Sequence, residues 1–111
     1  MNQILGIKLP PIYEKFLNKI ELGNIFSIDG TGIDFYSISD LEERNITYDI
    51  QKEEPRFLLI GQDGDLGFFI KDGQDDIYSN DLGAIGSLEM DRISDNINNF
   101  IEYAKENYDD L

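Results

Sequence analysis

The chain has 111 residues, 41% hydrophobic and 12% aromatic, which is enough apolar surface to fold around one core and hardly enough for two. Nine Lys and Arg stand against 23 Asp and Glu, a net charge of −14 that repels phosphate backbones and anionic membranes and sets direct nucleic-acid or membrane binding aside. His and Cys are both absent, which excludes Ser-His-Asp and Cys-His triads, zinc sites built on those residues, and disulfides.

The opening Met1-Asn2-Gln3-Ile4-Leu5 lacks the basic and apolar regions of a secretory signal, and no run approaches the roughly 20 apolar residues of a membrane helix. A single domain spanning 1–111 and a cytoplasmic location are expected. Leu9-Pro10-Pro11 leads into Tyr13, Phe16, Leu17 and Ile20 at helical spacing, with Gly23 as a left-handed stop, so the first helix is placed at about Pro11–Leu22. Asn24–Ile28 and Ile33–Ser37, joined through Asp29-Gly30-Thr31-Gly32, read as a hairpin. Ser39 stands three residues before Glu42 in capping-box spacing and starts a brief helix to Arg44. The polar run Asn45–Pro55 reads as a surface connection, with or without a short strand.

Phe57-Leu58-Leu59-Ile60 is continuously apolar, as a strand covered on both faces requires. Leu66–Lys71, Asp76–Ser79 and Ser87–Asp91 follow as further strands, the last with Leu88 and Met90 inward, and the short connections force an antiparallel meander. Ser94 then caps a helix carrying Ile97, Phe100, Ile101 and Ala104, with Asp95 in its first turn, and the acidic tail from Tyr108 is expected to fray. The order gives an α+β fold: an antiparallel sheet, or a mixed one, of five to six strands flanked by an N-terminal and a C-terminal helix.

Three stretches are similar to the SUKH superfamily, the group that contains fungal Smi/Knr-type regulators and many bacterial immunity proteins. Ile4–Leu17 resembles its opening, where a small apolar lead and Leu-Pro introduce a helix with Tyr and Phe-Leu. Phe57-Leu58-Leu59-Ile60-Gly61-Gln62-Asp63-Gly64-Asp65 resembles its apolar strand running into a Gly and Asp turn. Phe68–Asp81, ahead of a helix containing Ser94 and Phe100, resembles its second half. The resemblance implies a SUKH-like binding domain without catalytic activity or cofactor, whose partner is a basic toxin domain, a nuclease among them. The same resemblance leaves open a regulatory or scaffolding module acting on cellular proteins without a toxin.

Other chemistries fit the residues less well. There is no phosphate loop of the Gly-x-x-x-x-Gly-Lys-Ser/Thr type, and Gly30-Thr31-Gly32 belongs to the hairpin turn. The Asp-Gly turns lack the ligand spacing of a calcium loop, so no metal site is expected, and paired carboxylates for glycoside hydrolysis arise by accident in so acidic a chain. Charge remains: Gly61–Asp81 holds six acidic residues against Lys71 alone. Such a cluster serves solubility as readily as binding; with the resemblance, Asp63, Asp65, Asp72, Asp75, Asp76 and Asp81 become the expected partner-binding residues, meeting basic side chains of the partner. Tyr48 joins them because it lies in a charged stretch, whereas strand packing accounts for Tyr36 and Tyr78.

Overall fold

Segments rich in Phe, Ile and Tyr follow one another through tight turns, so each pairs with its neighbour in sequence. The computed structural model describes residues 2–110. In chain order its elements are β1 (Gln3–Ile4), β2 (Ile7–Lys8), α1 (Pro11–Leu17), β3 (Ile25–Ser27), β4 (Asp34–Tyr36), α2 (Ile38–Thr47), α3 (Ile50–Glu53), β5 (Phe57–Asp63), β6 (Leu66–Lys71), β7 (Gln74–Asp81), β8 (Asp91–Ser94), α4 (Ile97–Asn107) and a 3-10 turn at Tyr108–Asp110. Strands β3 to β8 form one six-stranded sheet in sequential order, and every pair in it is antiparallel. The α+β class and the flanking helices are as expected, and α1 and α4 touch one another.

Phe16, Phe35, Phe68 and Phe100 bring α1, β4, β6 and α4 together, with Phe35 edge-on to both Phe16 and Phe100 at ring separations of 5.7 and 6.1 Å. β5 is buried on both sides: Leu58, Leu59 and Ile60 are all fully enclosed. A helical face and a strand face of this size each exclude water from the other, which is the main stabilising contribution here. Gly61 stands where a Cβ would lie 2.5 Å from the Asp34 carbonyl oxygen, so β4 can approach β5 closely only because this residue has no side chain.

Several boundaries differ from the expectations. The first helix stops at Leu17, because Lys19 and Ile20 donate to Phe16 and Leu17 in tightened turns; Gly23 does adopt positive φ, but further along the chain. α2 begins at Ile38 and runs on through Asn45 to Thr47, and α3 follows, so Asn45–Pro55 does lie largely at the surface but is mostly helical, with Asn45 and Ile50 buried. Ser39 makes no capping box: its hydroxyl accepts from the Gly23 N–H at 2.9 Å. Ser87–Met90 is a loop with Leu88 58% exposed, and the last strand begins only at Asp91. The cap of α4 is Asn96, whose side chain accepts from the Asn99 N–H at 2.9 Å, while Ser94 closes β8 and Asp95 lies before the helix.

The N-terminal hairpin β1–β2 has no counterpart in the expectations. It turns on Leu5 and Gly6, at φ of 52° and 79°, the pair of positive values that a tight hairpin turn of this hand demands. Leu22, Ile25 and Phe26 are exposed beside β3, which is one free edge of the sheet. Among the described residues no helix is long and apolar enough to cross a membrane.

Candidate functional site: an acidic end of the sheet

An antiparallel meander sends alternate connections to opposite ends of the sheet, and this decides where the acidic residues go. β6 is six residues long, so the β5–β6 and β6–β7 turns lie about 17–20 Å apart. The six carboxylates between Gly61 and Asp81 are therefore split rather than gathered.

Asp72 and Asp75 belong to one end, where they hold the fold. Asp72 accepts from the Lys8 N–H at 2.7 Å and joins the N-terminal hairpin to the β6–β7 turn. Asp75 accepts from the Tyr13 N–H at 2.9 Å and the Ile12 N–H at 3.3 Å. Pro10 stands at the N-cap of α1 with no side-chain oxygen to offer, so a carboxylate from β7 caps that helix instead. Lys8, Arg56 and Lys71 lie at this same end, and its charge is mixed. Asp76 pairs with Arg92 on β8 at 2.6 Å, and this hydrogen bond together with the Asp76 charge raises the guanidinium pKa. Tyr48 follows α2, half-buried against the core.

Asp63, Asp65 and Asp81 belong to the other end, and the sheet brings more acid to them. Asp34 lies opposite Gln62, Leu66 opposite Asp81, and Ser79 opposite Asp91. The 3-10 turn reaches the same place: the Tyr108 hydroxyl donates to Asp63 at 2.6 Å and accepts from the Gly32 N–H at 3.1 Å. Donation to Asp63 raises the Tyr108 pKa, against the opposing pull of the Gly32 N–H. Tyr108 thus docks the start of the tail expected to fray, and Leu111 lies outside the described residues.

Segments 28–34, 62–66, 80–82, 90–91 and 108–109 together supply seven carboxylates, from Asp29, Asp34, Asp63, Asp65, Asp81, Asp91 and Asp109, and no Lys or Arg. Asp29, Asp65 and Asp91 are exposed and make no side-chain hydrogen bond or ion pair among the described residues. Asp81 accepts from the Gly83 N–H at 2.7 Å and shapes the turn after β7. Among the described residues no three acidic side chains converge where they could hold a metal ion. The charge is spread over a surface, a distribution suited to several separate cations.

No family model and no curated protein matches the chain. Sequence reasoning missed Asp29, Asp34, Asp91 and Asp109 because it counted charge along a continuous window. The signal was nonetheless present: in a meander, the loop before β4 and the turn after β5 must share an end, so alternate turns are the ones to add together.

Tyr36 and Tyr78 are the two tyrosines that lie on strands. Tyr36 is nearly buried, donates to Gln62 and carries the Arg44 guanidinium 5.7 Å above its ring. Burial raises its pKa, partly opposed by Arg44. Tyr78 is half-buried and stands edge-on to Phe57 at 5.1 Å, the strand packing expected of it.

Proposed function

We propose that this chain is a SUKH-type immunity protein, a cytoplasmic and non-catalytic binder that sets the acidic end of its sheet against a toxin's basic active-site cleft and occludes it. The observation that supports this reading is the placing of seven carboxylates at one end of the sheet with no cation among them. A nuclease cleft is lined with cations that receive phosphates, and carboxylates spread over the strand ends and turns at one end of a sheet offer such a cleft a series of separate anions. The order of sequence motifs supports the superfamily; the charge supports the kind of partner.

The test is co-expression with a toxin encoded beside this chain, scored by growth and by binding of the purified proteins at low and high salt. Neutralisation with binding that weakens steeply as salt rises is the expected result. A neighbouring toxin that neither binds nor is neutralised overturns the proposal.

A further inference from the structure

The sheet has two edges, and they are treated differently. β8 exposes Asp91 and Arg92, charges of the kind that discourage another strand from pairing. β3 exposes Ile25, Phe26 and Ser27, with Ile25 54% and Phe26 37% accessible, and carries no charge at all. Its free backbone groups can be identified. The Ile28 N–H donates to the Ile33 carbonyl at 3.1 Å, and antiparallel bonding alternates, so Phe26 bonds inward while Ile25 and Ser27 direct their N–H and C=O groups away from β4. Beside this edge runs a groove of about 280 Å³, with Phe16, Ile20, Ile25 and Phe26 in its lining and Lys19 and Glu21 among its polar residues.

We propose that the β3 edge accepts an extended, cationic segment of the partner protein as a seventh strand. The inference rests on the proposed function above and adds the mode of contact. The charges favour that occupant over a second copy. Glu21 precedes the edge and Asp29 and Asp34 follow it, while the cations beside it are Lys19 in the groove and Arg44, which is engaged over the Tyr36 ring. Asp34 is held beside β3 by the Ser27 hydroxyl at 2.6 Å. Two copies meeting here would oppose these acids to one another in chains of net charge −14, whereas alternating Lys or Arg and aliphatic residues place ammonium or guanidinium groups near the acids and apolar groups in the groove. The edge also leads directly into Asp29, so the added strand would run continuously into the acidic end.

The probe is a blocked heptapeptide of alternating Lys and Val, added to the full chain and followed by NMR and amide hydrogen exchange. A peptide of alternating Lys and Gly has the same charge without strand propensity. With the Val peptide, the Ile25 and Ser27 amides are expected to shift and to exchange at least about tenfold more slowly, and with the Gly peptide they are not. Ile25→Pro removes an outward donor and abolishes the effect. Ile25→Thr, which keeps the backbone, weakens binding about fivefold or more while circular dichroism stays unchanged.

Equal binding of both peptides with unchanged β3 amides overturns the proposal, as does a chain that forms dimers through β3. Toxin co-expression separates the two readings. A toxin neutralised equally by wild type and by Ile25→Pro removes strand addition and keeps the proposed function; a neighbouring toxin untouched by wild type removes the function whatever the peptides do.

Discussion

Asn45 is fully buried and uses all of its side-chain capacity. Its amide nitrogen donates to the Leu41 carbonyl at 2.8 Å and the Leu59 carbonyl at 3.0 Å; its oxygen accepts from the Leu59 N–H at 2.8 Å and from Gln51 at 2.9 Å. The reason is local. β4 pairs with β5 only at Asp34–Gln62 and Phe35–Gly61, and the chain then turns into α2, so the β5 backbone at Leu59 has no strand beside it. A side chain on α2 replaces the missing strand, and Gln51 extends the replacement to the Phe57 carbonyl at 2.8 Å. Asn45→Leu removes these bonds without opening a large cavity and orphans two backbone groups of Leu59. At about 1–3 kcal/mol for each buried unsatisfied group, the expected loss is about 2–6 kcal/mol, a large share of the roughly 5–15 kcal/mol typical of a domain. Urea unfolding followed by circular dichroism would show a lower midpoint with an unchanged slope. Asn45→Asp should be less stable at neutral than at mildly acidic pH, since only the protonated acid can still donate to Leu59. A loss below about 1 kcal/mol for the Leu variant would refute the reasoning, because Leu59 would then have found other partners.

Asp75→Ala should cost about 1–2 kcal/mol in thermal or urea unfolding by uncapping α1, and Asp75→Asn less, since the amide keeps one acceptor. The Tyr13 hydroxyl is buried without a hydrogen-bond partner among the described residues, so Tyr13→Phe should be neutral or stabilising by about 1 kcal/mol in the same assay. Burial raises the pKa of Tyr13 and of Tyr36, so the folded state keeps protons that the unfolded chain releases above its ordinary value of 10. Stability is therefore intact below that pH and falls as pH rises beyond it, with Tyr13 and Tyr36 ionising as the chain unfolds in an absorbance titration. Replacing Asp29, Asp65 and Asp91 together by Asn should leave unfolding within about 0.5 kcal/mol per site, yet slow association with a cationic partner about tenfold at low salt and flatten its salt dependence.

The meander was legible because its punctuation is explicit. Gly64 and Gly73, both at positive φ, fall where the sequence signals turns, and the apolar runs between them have strand length. The C-terminal helix was legible from Ile97, Phe100, Ile101 and Ala104, all buried. Other features carry misleading or silent signals. Leu88 and Met90 alternate like a strand, but Asn80 holds the Leu88 carbonyl at 3.1 Å within a loop. The polar run from Asn45 reads as a surface because a buried amide is spelled the same as an exposed one; its partner Leu59 is 14 residues away. The turn at Leu5-Gly6 lacks the Asn or Asp that usually announces such hairpins. As for the acidic site, the tight turns were readable, and the end of the sheet each turn occupies required counting strands.

The side-chain clamp on β5 also bears on the order of assembly. From β5 to β8 each strand neighbours the one before it, and the β5–β6–β7 pairings close short loops and are expected to form early. β4 must wait for α2 and α3 to fold back before Phe35 can meet Gly61 in register. Asn45 and Gln51 sit inside that connection and fasten it once it has closed. Interactions completed after the rate-limiting step act on the rate of opening, so the clamp is expected to lengthen the lifetime of the folded chain while leaving the speed of its formation almost unchanged.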